Sequence, residues 1–390
     1  MNLKQLPLLM TPGPTQVREN VRHARSVEMT NPDLDPSFFK FYKETCGCLS
    51  DFLHTRNPVL ILGGEGMLGL DAACVSLIEP GDRVLVIENG LFGEGFSDLV
   101  RLYGAVPVLF RGDRKREIDV AALESFLKKD SDFKLATIVH CDTPSGVLNE
   151  LDKICPLLKS FGILTVVDAV SSMVGEEIFV DLWKIDICIG ASQKGFSAPP
   201  GLTFLSISPD AYGVMESRKT PIASFYGNLW IWKNYEQEFW FPYSPPASDI
   251  YGFSVAVSNV LEEDRIVFRH QSIAKAVRSA ILKTGLSLHL KSGYCATVTV
   301  MDVPGELDAE QLVRQILDEE NVLIGGCFGY LKGKVIRIGH MGENARSDFV
   351  AKALFSIQKV LERNGIHLKE DMRTVFLEEL EKECDEFKKK

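Results

Sequence analysis

Residues 187–202 read ICIGASQKGFSAPPGL. The run opens as a continuous apolar strand, turns polar at Ser192, Gln193 and Lys194, and ends in a loop rich in Gly and Pro. A lysine immediately beyond a strand that is apolar on both faces is the feature that needs an explanation.

Working outward, the same kind of strand recurs. PVLILGG leads into GMLGLDAACVSLI, DRVLVIEN into GEGFSDLVRLYG, AVPVLFRG into DVAALESFLKKD, and KLATIVHCD into NELDKICPLLKSFG; then come ILTVVDAV, IDICIGAS and GLTFLSIS. Strands that are apolar throughout and separated by helical lengths require crossover connections, which gives a mostly parallel sheet covered by helices on both faces. Ligands of such sheets sit outside the carboxyl ends of the strands, where Lys194 lies.

Past an aromatic and proline-rich section at 224–249, helical patterns around 248–262 and 265–284 precede two strands, CATVTVMDV and KVIRIGHM, that flank DAEQLVRQILDEE. The expected architecture is therefore α/β. A large domain spans 15–262, a smaller α+β domain combines 1–14 with 263–365, and 366–390 form a charged helical tail with Phe376, Leu377 and Leu380 on its apolar face.

Composition narrows the classes. A chain of 390 residues with a formal charge of −10 lacks the clustered basic face of nucleic-acid binders, and its one basic run, Lys388 to Lys390, is a terminal solvated tail. Nine scattered cysteines suit a reducing compartment, and their spacing relative to the seven histidines has no zinc-like pattern, so no metal is expected. The short apolar stretch of MNLKQLPLLMTPGP is broken by prolines, and no later run approaches the roughly 20 apolar residues that span a bilayer. A cytoplasmic protein without membrane or nucleic-acid partners is the expectation.

Lys194 gains meaning from its neighbours. Asp168 ends the preceding strand among valines, and an ionised carboxylate there needs a cation or hydrogen bonds. Pyridoxal phosphate uses both residue types: a lysine for a Schiff base, and an acid that keeps the pyridine nitrogen protonated so that the ring can take up electrons. LGGEGMLGLDAA, residues 62–73, sets a Gly-rich turn between strand and helix, where free N–H groups can bind a phosphate or simply close a tight turn.

LMTPGPT, GGEGMLGLDAA, ENGLFGEGF, TPSGVLNELDKI, VVDAVSSMVG, GASQKGFSAPPGL and LKGKVIRIGHMG occur in the order found in class V aminotransferases. The chain resembles that family over roughly residues 8 to 360, and most of all its alanine:glyoxylate and serine:pyruvate branch. The resemblance implies a fold type I enzyme that uses pyridoxal 5'-phosphate bound to Lys194. It moves the amino group of a small amino acid, alanine or serine type, to the 2-oxo acid glyoxylate or pyruvate.

Further roles follow from the resemblance. Gly66 and Met67 would offer N–H groups to the phosphate and Gln193 a side-chain donor. Thr143 would meet the ring's hydroxyl side, Val170 and Phe92 would enclose the ring, and Arg337 would bind the substrate carboxylate. Ser244, in FPYSPPAS, would reach the phosphate of the partner subunit, which implies a homodimer with shared active sites.

Departures from the family pattern stand out. Phe92 replaces a frequent Trp, Glu65 replaces a small and often hydroxylated residue, and Phe241 stands where a tyrosine is expected, with Tyr243 nearby. EMTNPDLDPSFFKFY replaces a His-Arg-Ser-like stretch at the entrance, leaving Asn31 and Asp35 either facing the substrate or serving the loop.

Three rival readings use the same residues. A cysteine desulfurase would use Cys327 in LIGGCFGYLKGK as nucleophile, although the flanking residues look like the aminotransferase form. A 2-aminoethylphosphonate:pyruvate aminotransferase would use Arg337 on a phosphonate. A non-catalytic binding protein would have no need of the Lys194 and Asp168 pair.

Overall fold

The computed structural model describes residues 6–388. Lys389 and Lys390 of the terminal basic run lie outside them.

Seven strands form the central sheet in the spatial order Val59–Gly63, Leu202–Ile207, Ile187–Ala191, Leu164–Asp168, Leu135–Val139, Arg83–Glu88 and Val106–Arg111. Every neighbouring pair is parallel except those made by Leu202–Ile207, which runs antiparallel to both flanking strands. All seven were visible as apolar runs. The three interior strands ending at Val139, Asp168 and Ala191 are buried along their whole length, because helices cover both faces.

The helices between them are where periodicity placed them. Leu91–Leu102 and Leu151–Ser160 each bury one stripe, through Phe96 and Val100 and through Ile154 and Leu158 respectively. Their cores merge with the sheet into one hydrophobic cluster reaching from Val21 to Val260.

A second cluster unites Met10 with residues between Ile273 and Phe376. Here Val298–Asp302 pairs antiparallel with Val335–Gly339, and Leu8–Met10 pairs in parallel with Val322–Ile324. Those last two strands have three residues each, too short to show a period, and were not foreseen.

The last helix, Met372–Lys388, packs against Ile266–Lys283. Met372, Val375 and Phe376 are buried and Leu380 is partly so, whereas Leu377 is exposed, against expectation. Positions 372, 376 and 380 repeat every four residues and share one face; 377 is turned about 100° away from 376.

Among the described residues, no helix is long and apolar enough to cross a membrane.

Candidate active site

The carboxyl ends of five strands converge. Val59–Gly63 runs into Glu65 and Gly66, the strands Leu135–Val139 and Cys141–Asp142 lead to Thr143, Leu164–Asp168 ends on Asp168, and Ile187–Ala191 is followed by Gln193 and Lys194. Together they line a cavity of about 150 Å³. Of the residues singled out from sequence, Gly66, Met67, Phe92, Thr143, Asp168, Val170, Gln193 and Lys194 all line it; Arg337 and Ser244 do not. A larger groove of about 1000 Å³ lies elsewhere, bordered by Arg18, Glu343 and Arg346, and none of these eight residues reaches it.

Among the described residues, Lys194 is the cavity's only basic side chain. Burial pulls its ammonium down to about 8, helped by the positive Arg337 and opposed by Asp168. Its Nζ donates to the carbonyl oxygen of Pro12 at 2.6 Å.

Gly13 makes that approach possible. It sits at φ +91°, and a Cβ there would lie 2.4 Å from the Cδ of Lys194. Pro12 and Gly13 were not among the expected site residues, although LMTPGPT was already conspicuous as a motif.

Asp168 is buried, and burial raises its carboxyl to about 6. The Val170 N–H, donating to Oδ1 at 2.9 Å, and the Lys194 charge act in the opposite direction. An acid held in this way keeps its charge only while a cation or N–H faces it.

Phe92 is fixed by a buried carboxylate, since Asp142 Oδ1 accepts its N–H at 2.8 Å. The side chain of Val170, which also lines the cavity, packs close to Gly66. The Thr143 hydroxyl shares a hydrogen bond with Ser171, a lining residue that sequence reasoning missed.

Arg337 lies next to the cavity, its Nε donating to the Gly326 carbonyl at 2.6 Å and its Nη1 to that of Thr143 at 3.4 Å. Cys327, half-buried nearby, has its thiol pushed up by burial, with Arg337 acting against that. A thiol held in its protonated form is a poor nucleophile.

The helix start differs from expectation. Glu65 caps Gly66–Leu77: its Oε1 accepts the Met67 N–H at 3.1 Å, and its Oε2 accepts from Gln193 Nε2 at 3.2 Å. Met67 and Gln193, both expected to serve a phosphate, are thus engaged by the chain's own carboxylate.

Elsewhere, Ser244 is exposed and donates to Asp33. Asp35 caps the helix Pro36–Phe52 by accepting the Ser37 N–H at 2.8 Å, and Asn31 accepts the Asp33 N–H at 3.0 Å. Both side chains serve the loop, and neither lines the cavity.

Fold and site together define an α/β protein with a buried lysine amine and a buried acid in one cavity at the carboxyl ends of its sheet. Residues 22–329 match the family described as aminotransferase class-V. The pyridoxamine–pyruvate transaminase of Mesorhizobium japonicum is 32% identical over 340 residues, 85% of this chain and 86% of its own. The alanine–glyoxylate aminotransferase of Felis catus is 28% identical over 365 residues, 91% and 88% of the two chains. The crystal structure of ureidoglycine–glyoxylate aminotransferase from Bacillus subtilis aligns with a TM-score of 0.93 at 29% identity, covering 98% of this chain and 100% of that one. The chain belongs to the class-V aminotransferase family.

That family uses pyridoxal phosphate. The lining is compatible with the ring of such a group: a lysine amine, a buried carboxyl and the apolar side chains of Phe92 and Val170 share one cavity. At the helix start, where a phosphate would be bound, Glu65 already accepts the Met67 N–H and the Gln193 side-chain amide.

Proposed function

We propose that this aminotransferase moves the amino group of a small amino acid, alanine or serine type, to glyoxylate or pyruvate, with Lys194 and Asp168 as its catalytic pair. The observation that carries the reading is Lys194, buried in the same cavity as Asp168 and lowered to about 8. The names of the relatives supply the acceptors: pyruvate in one, glyoxylate in two.

Pyridoxal phosphate, when bound, supplies an electron sink for the pair left as a proton leaves the substrate's α-carbon. The remaining work falls to the chain. Asp168 holds a proton at the ring nitrogen. Lys194, a neutral amine in much of the population near its pKa, takes the proton from the α-carbon and returns one to the carbon that receives the amino group. Arg337 binds the carboxylate of donor and acceptor through charge-assisted hydrogen bonds. Phe92 and Val170, both lining the cavity, would hold the ring.

The first two hydrophobic clusters correspond in this reading to a large domain, 15–262, and a small one, 1–14 with 263–365, and the helix Met372–Lys388 adds to the smaller core. The functional unit is a homodimer in which the exposed Ser244 faces the partner's site. The exposed aromatic side chains Phe225 and Tyr226, which pack around Tyr243 next to Ser244, support that reading.

A half-reaction screen tests the function. Alanine, serine, aspartate, 2-aminoethylphosphonate and pyridoxamine are added singly to the loaded protein while its visible spectrum is recorded. Bleaching by alanine or serine, reversed by glyoxylate or pyruvate, is expected; a spectrum unchanged by any donor would overturn the assignment.

A further inference from the structure

The part of the cavity at the start of the helix Gly66–Leu77 is chemically unusual. Phosphate groups bind at helix starts because free N–H groups and the helix dipole both favour an anion. Here an anion is built in, since Glu65 takes the Met67 N–H with one carboxylate oxygen and the Gln193 amide with the other.

The charge balance points the same way. The lining carries two carboxyl groups, Glu65 and Asp168, against the single cation Lys194. A phosphate monoester would add about −1.5 to −2 more. Glu65 is close enough for its charge to bear on both catalytic groups, raising the pKa of each.

One polar atom at this end also lacks a partner. Gln193 Oε1 is buried and accepts nothing. A buried acceptor beside a carboxylate calls for a donor, which a phosphate dianion does not provide and a hydroxymethyl O–H does. The volume agrees: about 150 Å³ is small against the roughly 300–1,000 Å³ of common ligand pockets.

We propose that Glu65 is a specificity-determining residue that makes the site favour pyridoxal or pyridoxamine, with a free hydroxymethyl group, over their 5'-phosphates. The proposal rests on the transaminase reading of the same cavity and refines the form of the ring that it holds. Glu65 fills the place of the phosphate, and its carboxylate and Gln193 Oε1 receive the hydroxyl hydrogen in its stead.

The test is a binding titration. Protein freed of ring ligands is titrated separately with pyridoxal and with pyridoxal phosphate, followed by absorbance and by thermal melting, in the wild type, Glu65→Ser and Glu65→Gln. Serine is itself a good helix cap, and the melts report whether each variant is folded. The wild type is expected to bind pyridoxal at least as tightly as the phosphate. Glu65→Ser should tighten the phosphate by at least about tenfold with little change for pyridoxal. Glu65→Gln, similar in size but uncharged, should fall between. Wild-type preference for the phosphate, unaltered in both variants, overturns the role of Glu65 and leaves the transaminase reading intact. Failure of the folded wild type to bind either compound overturns both.

Discussion

Lys194 Nζ donates to the carbonyl oxygen of Pro12, 182 residues earlier in the chain. The N-terminal strand that precedes Pro12 belongs to the second hydrophobic cluster, while Lys194 follows a strand of the first. The Lys194 amine is therefore held by a segment anchored in the smaller core.

With its ammonium lowered to about 8, Lys194 becomes a neutral amine as pH rises through that value. Its reaction rate with added pyridoxal should therefore climb through about pH 8 and level off above it. A stopped-flow absorbance series measures this. A profile still rising near the ordinary lysine value of about 10.4 would mean that the amine is not desolvated. Lys194→Ala should lose transamination altogether.

Gly13→Ala places a methyl group 2.4 Å from Lys194 Cδ at a backbone φ of +91°. The strain there is of order 1–3 kcal/mol, and the lysine must also move. Transamination is expected to fall at least about tenfold, with a lower melting temperature. An alanine variant with wild-type turnover would show that the Pro12 contact has no part in aiming the amine.

Arg337→Ala should chiefly raise KM for both amino and 2-oxo acids, since in the proposed function the same guanidinium binds both carboxylates. Loss of hydrogen bonds to a charged group, about 1.5–3 kcal/mol, corresponds to roughly 10- to 100-fold in kcat/KM. Steady-state kinetics with two donors check it; unchanged KM for both would place the carboxylate elsewhere.

Cys327→Ser should leave transamination close to wild type, because burial keeps the thiol protonated and its Sγ is directed at the Pro144 carbonyl, 3.6 Å away. Sulfide release from cysteine that disappears in this variant would instead make it a nucleophile.

Phe376→Ala should cost about 3–5 kcal/mol in denaturant unfolding, because the ring is fully buried in the second cluster. Leu377→Ala, at an exposed position, should change stability little. Equal effects would mean that the last helix is not packed as described.

Lys194 and Asp168 were legible because each directly follows an apolar run that could only be a buried strand, and such ends are where ligands sit. The seven sheet strands and their helices were legible for the same reason: period and length are local properties. Gly13 stood within a visible motif, but its role depends on a lysine far along the chain. The paired strands Leu8–Met10 and Val322–Ile324 are too short to carry a pattern, and each exists only because the other is beside it.

By itself, then, the sequence determined the α/β order, the lysine and the acid, and it marked Glu65 as a departure. Tertiary structure decided what that departure does. Glu65 and Gln193 are 128 residues apart, and no periodicity can place a carboxylate on a distant amide. Their meeting depends on the antiparallel strand Leu202–Ile207, which lies between the strands carrying them and sets those two strand ends side by side. Propensity acts between neighbours in the chain, whereas a binding site is built from neighbours in space.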